Sequence, residues 1–200
     1  MTDEFVRIRG ERVLLRDPRP EDVEARVRWR TVEIAWGEWD APWEGNEPVP
    51  PERIEGLRRH LREQIAAPLP RPRTQLWIER IGGPLLGWVN RYHDDPANRS
   101  TWVGIDICES AYWGQGLGTE ALRLWVSYLL SELRFPQGQE ASFCPVQDAL
   151  RRVRLGTWSG NLRMIRCAEK CGFVLVDRRV GVREVRGERY DAVEFALLCQ

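Results

Sequence analysis

The stretch TWVGIDICESAYWGQGLGTEA, residues 101–121, constrains the fold more than any other part of the chain. A strand-like run ends near Cys108, Gly114, Gly116 and Gly118 then alternate with Gln115 and Leu117, and a helical pattern begins at Leu117. A glycine turn that opens straight into a helix leaves two sets of N–H groups facing one concavity: those of the turn and the unpaired ones of the first helical turn. The positive end of the helix dipole lies behind them. Such a concavity suits a phosphate or pyrophosphate. Glycine is required because a Cβ would block the ligand or forbid the backbone angles. Gly118-Thr119 lacks the lysine of a Walker-type phosphate loop. The acidic residue that a dinucleotide fingerprint expects about 20 positions on would be Glu132, at a helix end. A plain left-handed turn with no ligand is the alternative that the turn alone leaves open.

The flanking segments fit an α+β domain. Residues 5–16 partly alternate and read as one strand, with a possible break at Gly10; Pro20 and the pair Glu21-Asp22 then start a helix that runs to about Glu33. Residues 40–52 read as a loop, and 51–66 as an amphipathic helix with Ile54, Leu57, Leu61 and Ile65 at helical spacing. Strands over 74–81, 85–92 and 101–108 suggest an antiparallel meander. Leu117, Ala121, Leu124, Trp125 and Tyr128 share one face of the helix behind the turn. Residues 135–149 read as an irregular insertion. A strand over 151–157, a helix over 161–170 capped by Gly172, and strands over 173–183 and 190–198 close the chain. The expectation is a single domain over 1–200, with a central, mostly antiparallel sheet of about six or seven strands and about four helices. The last strand is expected to offer an edge for pairing, so the chain is expected to be a monomer or a homodimer.

Composition narrows the function. The chain has 200 residues, 42% hydrophobic and 30% charged, the balance of a globular protein that works in water. It shows neither a long apolar run nor a leader-like start, so a cytoplasmic protein with no membrane partner is expected. Lys170 is the only lysine among 30 basic residues, yet 30 acidic residues balance them and no basic stripe is visible, which argues against nucleic acid as a partner. Five cysteines, an odd number with no CxxC pair, fit neither a disulfide framework nor a zinc site, and no metal is expected. Cys167 and Cys171, four apart on one helical face, read as packing residues.

Trp113-Gly114-Gln115-Gly116-Leu117-Gly118-Thr119-Glu120-Ala121 is followed by Asn161 and then by Glu169-Lys170-Cys171-Gly172-Phe173. This ordered set resembles the GNAT superfamily of N-acetyltransferases, and most closely the branch of ribosomal-protein N-terminal acetyltransferases. Leu14-Leu15-Arg16 with Glu21-Asp22 resembles the opening of that branch. The resemblance implies a three-layer fold with a mixed sheet, acetyl-coenzyme A as cosubstrate, and a primary amine as acceptor, either on a protein N-terminus or on a small molecule. It also implies that Trp113, Gly114, Gln115, Gly116, Leu117, Gly118 and Thr119 hold the pyrophosphate through the main chain. The pantetheine arm would pair with the strand containing Ile107, whose N–H region would meet the developing oxyanion.

Within that resemblance, Asp106 is the candidate general base, or an ordinary polar residue of a half-exposed strand. Asn161 is a candidate for positioning the pantetheine or a catalytic water, or an N-cap of its own helix. Some relatives place a serine three residues after that asparagine as a thiolate donor; this chain has Met164 there. Arg166 and Lys170 read as solvated residues that could also meet a 3′-phosphate. The segment with Trp36, Trp39, Asp40 and Trp43 lies where the family builds its acceptor pocket. It mixes aromatic faces with carboxylates, which attract a cationic amine or else simply pack a loop. A non-catalytic acyl-coenzyme A sensor is the alternative from a different class.

Overall fold

The computed structural model describes residues 5–135 and 149–198. Strands β1 (Arg7–Arg9) and β2 (Val13–Arg16) precede helices α1 (Val23–Thr31), α2 (Gly37–Asp40) and α3 (Pro51–Ala66). Strands β3 (Gln75–Arg80), β4 (Leu85–Asp95) and β5 (Ser100–Ile107) lead into α4 (Leu117–Glu132). Strand β6 (Arg152–Trp158), helix α5 (Leu162–Lys170) and strands β7 (Val174–Val185) and β8 (Glu188–Leu198) follow. All strands join one sheet in the order β1-β2-β3-β4-β5-β6-β8-β7. Every neighbouring pair is antiparallel except β5 and β6.

Alternation along the strands sets the layers. Leu76 and Ile78 of β3 and Val103 of β5 join a core with Leu117, Ala121, Leu122 and Trp125 of α4 and Ala168 of α5. Trp77 and Trp88 point to the other face, where Trp29 and Ala25 of α1 and Ile65 of α3 cover them. Two bidentate arginine–carboxylate pairs lock the first elements together. Arg16 grips Asp22 (2.7 and 2.8 Å), and Arg73 grips Asp17 (2.8 and 2.9 Å). Both groups of the second pair are 1% exposed, so neither partner can be removed without leaving an uncompensated buried charge.

Several expectations are corrected. The described residues form eight strands and five helices, close to the expected count of about six or seven strands and about four helices, and other expectations change more. The opening strand is a hairpin: the Gly10 N–H donates to the Val13 carbonyl (2.9 Å) and turns β1 back on β2. The segment expected to be a loop begins with the last residue of α2, a one-turn helix, and includes a 3-10 turn at Pro42–Glu44. The closing strand is not an edge: β8 lies between β6 and β7, because β7 folds back on its outer side, and β7 is the edge. Most of the expected insertion, residues 136–148, lies outside the described residues; Arg134 and Ala149 on either side of it form an antiparallel bridge.

Candidate active site

Strands β5 and β6 pair only where Ser100–Trp102 meets Arg152–Arg154. Beyond that point they part: β4 holds β5 as far as Ile107, and β8 holds β6 as far as Trp158. A cavity of about 500 Å³ fills the opening, bounded by the two diverging strands, the glycine turn, α5 and α2.

One end of the cavity is made of main chain. Gly114 (φ +75°) and Gly116 (φ +78°) take left-handed conformations, and Gly116 is the N-cap of α4. The N–H groups of Gly114, Gln115 and Gly116 donate to no other described residue. Space is open where a Cβ on Gly114 would stand, so that glycine is needed for its backbone angles. Arg12 holds the turn from behind. Its Nη1 donates to the Gln115 carbonyl (2.8 Å), while its backbone N and Nε bond the two oxygens of Glu120 (2.8 and 3.0 Å). With its carbonyls tied down from outside, the turn keeps its N–H groups for the cavity.

Trp113, Gly114, Gly116, Leu117, Gly118 and Thr119 line the cavity, whereas the Gln115 side chain bonds the Ala111 carbonyl (2.9 Å) and does not. Ile107 lines it too, and its carbonyl accepts from Trp113 Nε1 (2.6 Å). Helix α5 adds positive charge through Arg163, Arg166 and Lys170. The Arg163 guanidinium lies over both Trp39 and Trp113, 4.4 Å from each ring centroid. Arg163 was missed in the sequence because nothing there placed it between those two rings.

The other end is made of side chains: Trp36, Trp39, Asp40, Asn90, Tyr92 and Asp106. Asp106 is held by a close strand approach, since a Cβ on Gly87 would stand 1.8 Å from its carbonyl oxygen. Burial pushes the Asp106 carboxyl up to about 8; the negative charge of Asp40 adds to this and Arg26 opposes it. Asp40 is itself raised, by burial and then by Glu44, and the Tyr92 phenol is raised by burial and by both aspartates. Asn90 Oδ1 is shut off from solvent and accepts no hydrogen bond among the described residues. Tyr92 and Asn90 carried no sequence signal, because a strand residue facing a cavity looks like one facing solvent.

The remaining residues singled out in the sequence divide. Trp36 lines the cavity while its Nε1 bonds the Trp29 carbonyl (2.8 Å), so it packs and faces the site at once. Trp43 does not reach the cavity; its ring lies under Arg183, 4.2 Å away. Asn161 lines the cavity, and its side chain is engaged at both atoms. Oδ1 caps α5 by accepting from Met164 N (3.0 Å), and Nδ2 donates to the Trp39 carbonyl (2.7 Å). That same carbonyl accepts from Trp158 Nε1 (3.0 Å), so α2 is tied to the start of α5 and the end of β6. An ion pair between Arg186 and Glu38 (2.7 Å) adds the tip of the β7–β8 hairpin to that clamp.

A sequence model of the acetyltransferase (GNAT) domain matches residues 12–174, which hold both the glycine turn and the parted strands. The chain belongs to the GNAT acetyltransferase family. No match is found among curated protein sequences. Among solved structures, the family member from Bacillus anthracis superposes with a TM-score of 0.68 at 17% identity, covering 96% of this chain and 98% of that one. The spermidine N-acetyltransferase of Vibrio cholerae, solved with coenzyme A and spermine, gives 0.65 at 16% identity over 94% and 96%. RimL, a ribosomal α-N-protein acetyltransferase solved with coenzyme A, gives 0.63 at 15% identity over 98% of each chain. At these identities the superpositions establish the GNAT fold, a mixed sheet between two helical layers. No helix among the described residues is long and apolar enough to cross a membrane.

Proposed function

We propose that this GNAT enzyme moves an acetyl group from acetyl-coenzyme A to the primary amine of a small cationic molecule. The reading rests on the polarity of a single cavity. Unpaired main-chain N–H groups with Arg163, Arg166 and Lys170 line it together with Asp106 and Asp40 among indole rings. The residues present fit the cosubstrate. The turn N–H groups suit a pyrophosphate, the parted edge of β5 suits an extended amide-bearing arm, and the basic face of α5 suits a 3′-phosphate. When bound, acetyl-coenzyme A supplies a thioester carbonyl as the electrophile.

The chain's own residues do the rest. Carboxylates and aromatic faces attract the acceptor as an ammonium ion. An ammonium cannot attack, so it must lose a proton first. Asp106, whose carboxyl titrates at about 8, takes that proton near neutral pH far better than an ordinary carboxylate would. N–H groups of β5 near Ile107 are the donors for charge developing on the carbonyl oxygen. The leaving thiolate, with a thiol pKa of about 8.5, needs no dedicated acid, which accommodates Met164 where some relatives have a serine. Asn161 acts by position, since its two polar atoms already cap α5 and tether Trp39. The clamp on α2 walls the acidic end and favours a small molecule over a protein terminus.

The experiment is a thiol-release assay with acetyl-coenzyme A against diamines, aromatic amines and N-terminal peptides, alongside calorimetry of coenzyme A. Turnover with small amines and not with peptides is the expected result. Turnover with peptides alone would move the acceptor to protein termini. Micromolar coenzyme A binding without turnover on the panel would favour the sensor, and no binding would overturn the reading altogether.

A further inference from the structure

Cys167 lies on the last turn of α5 and Cys171 is the C-cap of that helix. Both rest against the core, as their spacing suggests, yet neither is closed off from water. Their sulfurs do more than pack, because both meet Thr119, the residue that follows the glycine turn. The Thr119 hydroxyl donates to Cys167 Sγ (3.6 Å), and the Cys171 S–H donates to the Thr119 carbonyl (3.5 Å). Cys167 lines the cleft between β5 and β6; Cys171 does not. Cations surround the pair. Lys170 and Arg123 act on Cys167, Arg123 Nη2 bonds the Lys170 carbonyl, and Arg166 stands on the cleft wall. These surroundings favour a thiolate. A hydrogen bond from Cys171 pulls the Cys167 thiol below its ordinary range, and Thr119, Lys170 and Arg123 add to it against the effect of burial. Cys171 is pushed up in turn, by that hydrogen bond and then by burial. Cys108 shows the contrast: it is fully buried, and burial together with the Asp106 charge raises its thiol.

We propose that Cys167, with Cys171 as its hydrogen-bond donor, is a thiol–disulfide exchange site on the wall of the cleft, taking small anionic disulfides. The Cys167 thiolate attacks one sulfur of a disulfide RS–SR. A Cys167–SR bond forms, the RS–SR bond breaks, and the leaving RS⁻ keeps the electron pair and takes a proton from water. Charge sets the class, since Lys170, Arg123 and Arg166 draw an anion towards the sulfur. Cys171 does not go on to displace the bound group. Side chains one helical turn apart have β-carbons about 5 to 6 Å from each other, against about 3.5 to 4.5 Å in a disulfide, so an internal bridge would require the end of α5 to unwind. The adduct therefore stays on Cys167, beside Thr119 and in the cleft proposed to hold coenzyme A. One consequence rests on that coenzyme reading, although the exchange itself does not: S-thiolation is a block on coenzyme binding that excess thiol reverses.

The test is the rate and position of adduct formation with dithiodiglycolate, an anionic disulfide, and cystamine, a cationic one, followed by mass spectrometry near neutral pH. Trypsin cuts after Arg166 and Lys170, so the two thiols fall on separate peptides. The first adduct should lie on Cys167, and dithiodiglycolate should react several-fold faster than cystamine, by a margin that salt reduces. Cys167→Ala should abolish this adduct. Cys171→Ala removes the donor and should slow it about three- to tenfold, because each unit of rise in pKa leaves about ten times less thiolate but makes it about three times more nucleophilic. That comparison carries the test if Cys167→Ala does not fold. The proposal is overturned if the first adduct lies elsewhere, if Cys167 and Cys171 join in an internal disulfide, if Cys171→Ala reacts as fast as wild type, or if cystamine reacts as fast as dithiodiglycolate. These rates are measured without coenzyme A. Calorimetry of the thiolated protein, before and after dithiothreitol, reads the block: coenzyme A binding should be lost and then regained. Binding that persists after thiolation would overturn the block, whereas no binding by the unmodified protein would overturn the coenzyme reading and leave the exchange site standing.

Discussion

At the glycine-turn end of the cleft, the groups that face a ligand are main-chain N–H groups, and the side chains behind them, Arg12 and Glu120, only hold the turn. Elsewhere in the lining the distinctive groups are side chains: Trp36, Trp39 and Asp40 arrive together at α2, Tyr92 on β4 and Asp106 on β5. The first end tolerates changes of side chain that keep its backbone angles. The second depends on which side chains the fold brings together, and under the proposed function it is where chemistry and acceptor choice reside.

That contrast can be broken most sharply at Asp106. Asp106→Asn should lower kcat by about 10²- to 10⁴-fold with coenzyme A affinity unchanged, read by steady-state rates and calorimetry. The same variant tests the burial of the carboxyl. A group ordinarily at 3.8 that titrates at about 8 in the fold binds its proton more tightly when folded, so wild-type stability should fall as pH rises from about 4 to about 8. Tm measured across that range should decline less in Asp106→Asn. An identical decline in both proteins would mean that the carboxyl is not raised.

The main-chain end should answer in the reverse sense. Gly116→Trp places a side chain on a left-handed residue at the mouth of the turn and should weaken coenzyme A binding by about 100-fold while leaving Asp106 in place. Asn161 joins the two ends and separates its own two roles. Asn161→Ala should cost about 1 to 2 kcal/mol in denaturant unfolding through the lost cap. Asn161→Asp keeps the accepting oxygen and loses the donor to Trp39, so it should retain most of the stability and raise the acceptor KM. The smallest effect belongs to Arg12→Ala, which should raise the KM for acetyl-coenzyme A by about tenfold or less, with kcat and the acceptor KM unchanged, because the turn loses a brace rather than a ligand contact.

The sequence showed the meander β3–β5, the turn, α4 and α5 with bounds close to those observed, because each is set by local periodicity and by glycine or cap chemistry. It did not show that β8 inserts between β6 and β7, since strand order is a matter of long-range pairing that alternation does not encode. Trp36, Trp39 and Trp43 looked equivalent, yet two line the cavity and the third packs under Arg183, because Trp36 and Trp39 sit one turn apart at α2 while Trp43 belongs to the separate 3-10 turn at Pro42–Glu44 beside β7. Arg12 and Glu120 gave no sign of being partners across the whole first half of the chain.

By itself, the sequence determined where the chain turns, which segment can offer bare N–H groups to an anion, and the family that this pattern belongs to. These are local properties: glycine permits angles that other residues resist, and a helix must leave its first N–H groups unpaired. Only the tertiary structure decided that Asp106 is desolvated beside Asp40 and within the field of Arg26, and that Arg163 lies between Trp39 and Trp113. Solvation and Coulomb energy depend on distances between residues far apart in the chain, and those distances exist only once the sheet and its two helical layers have closed.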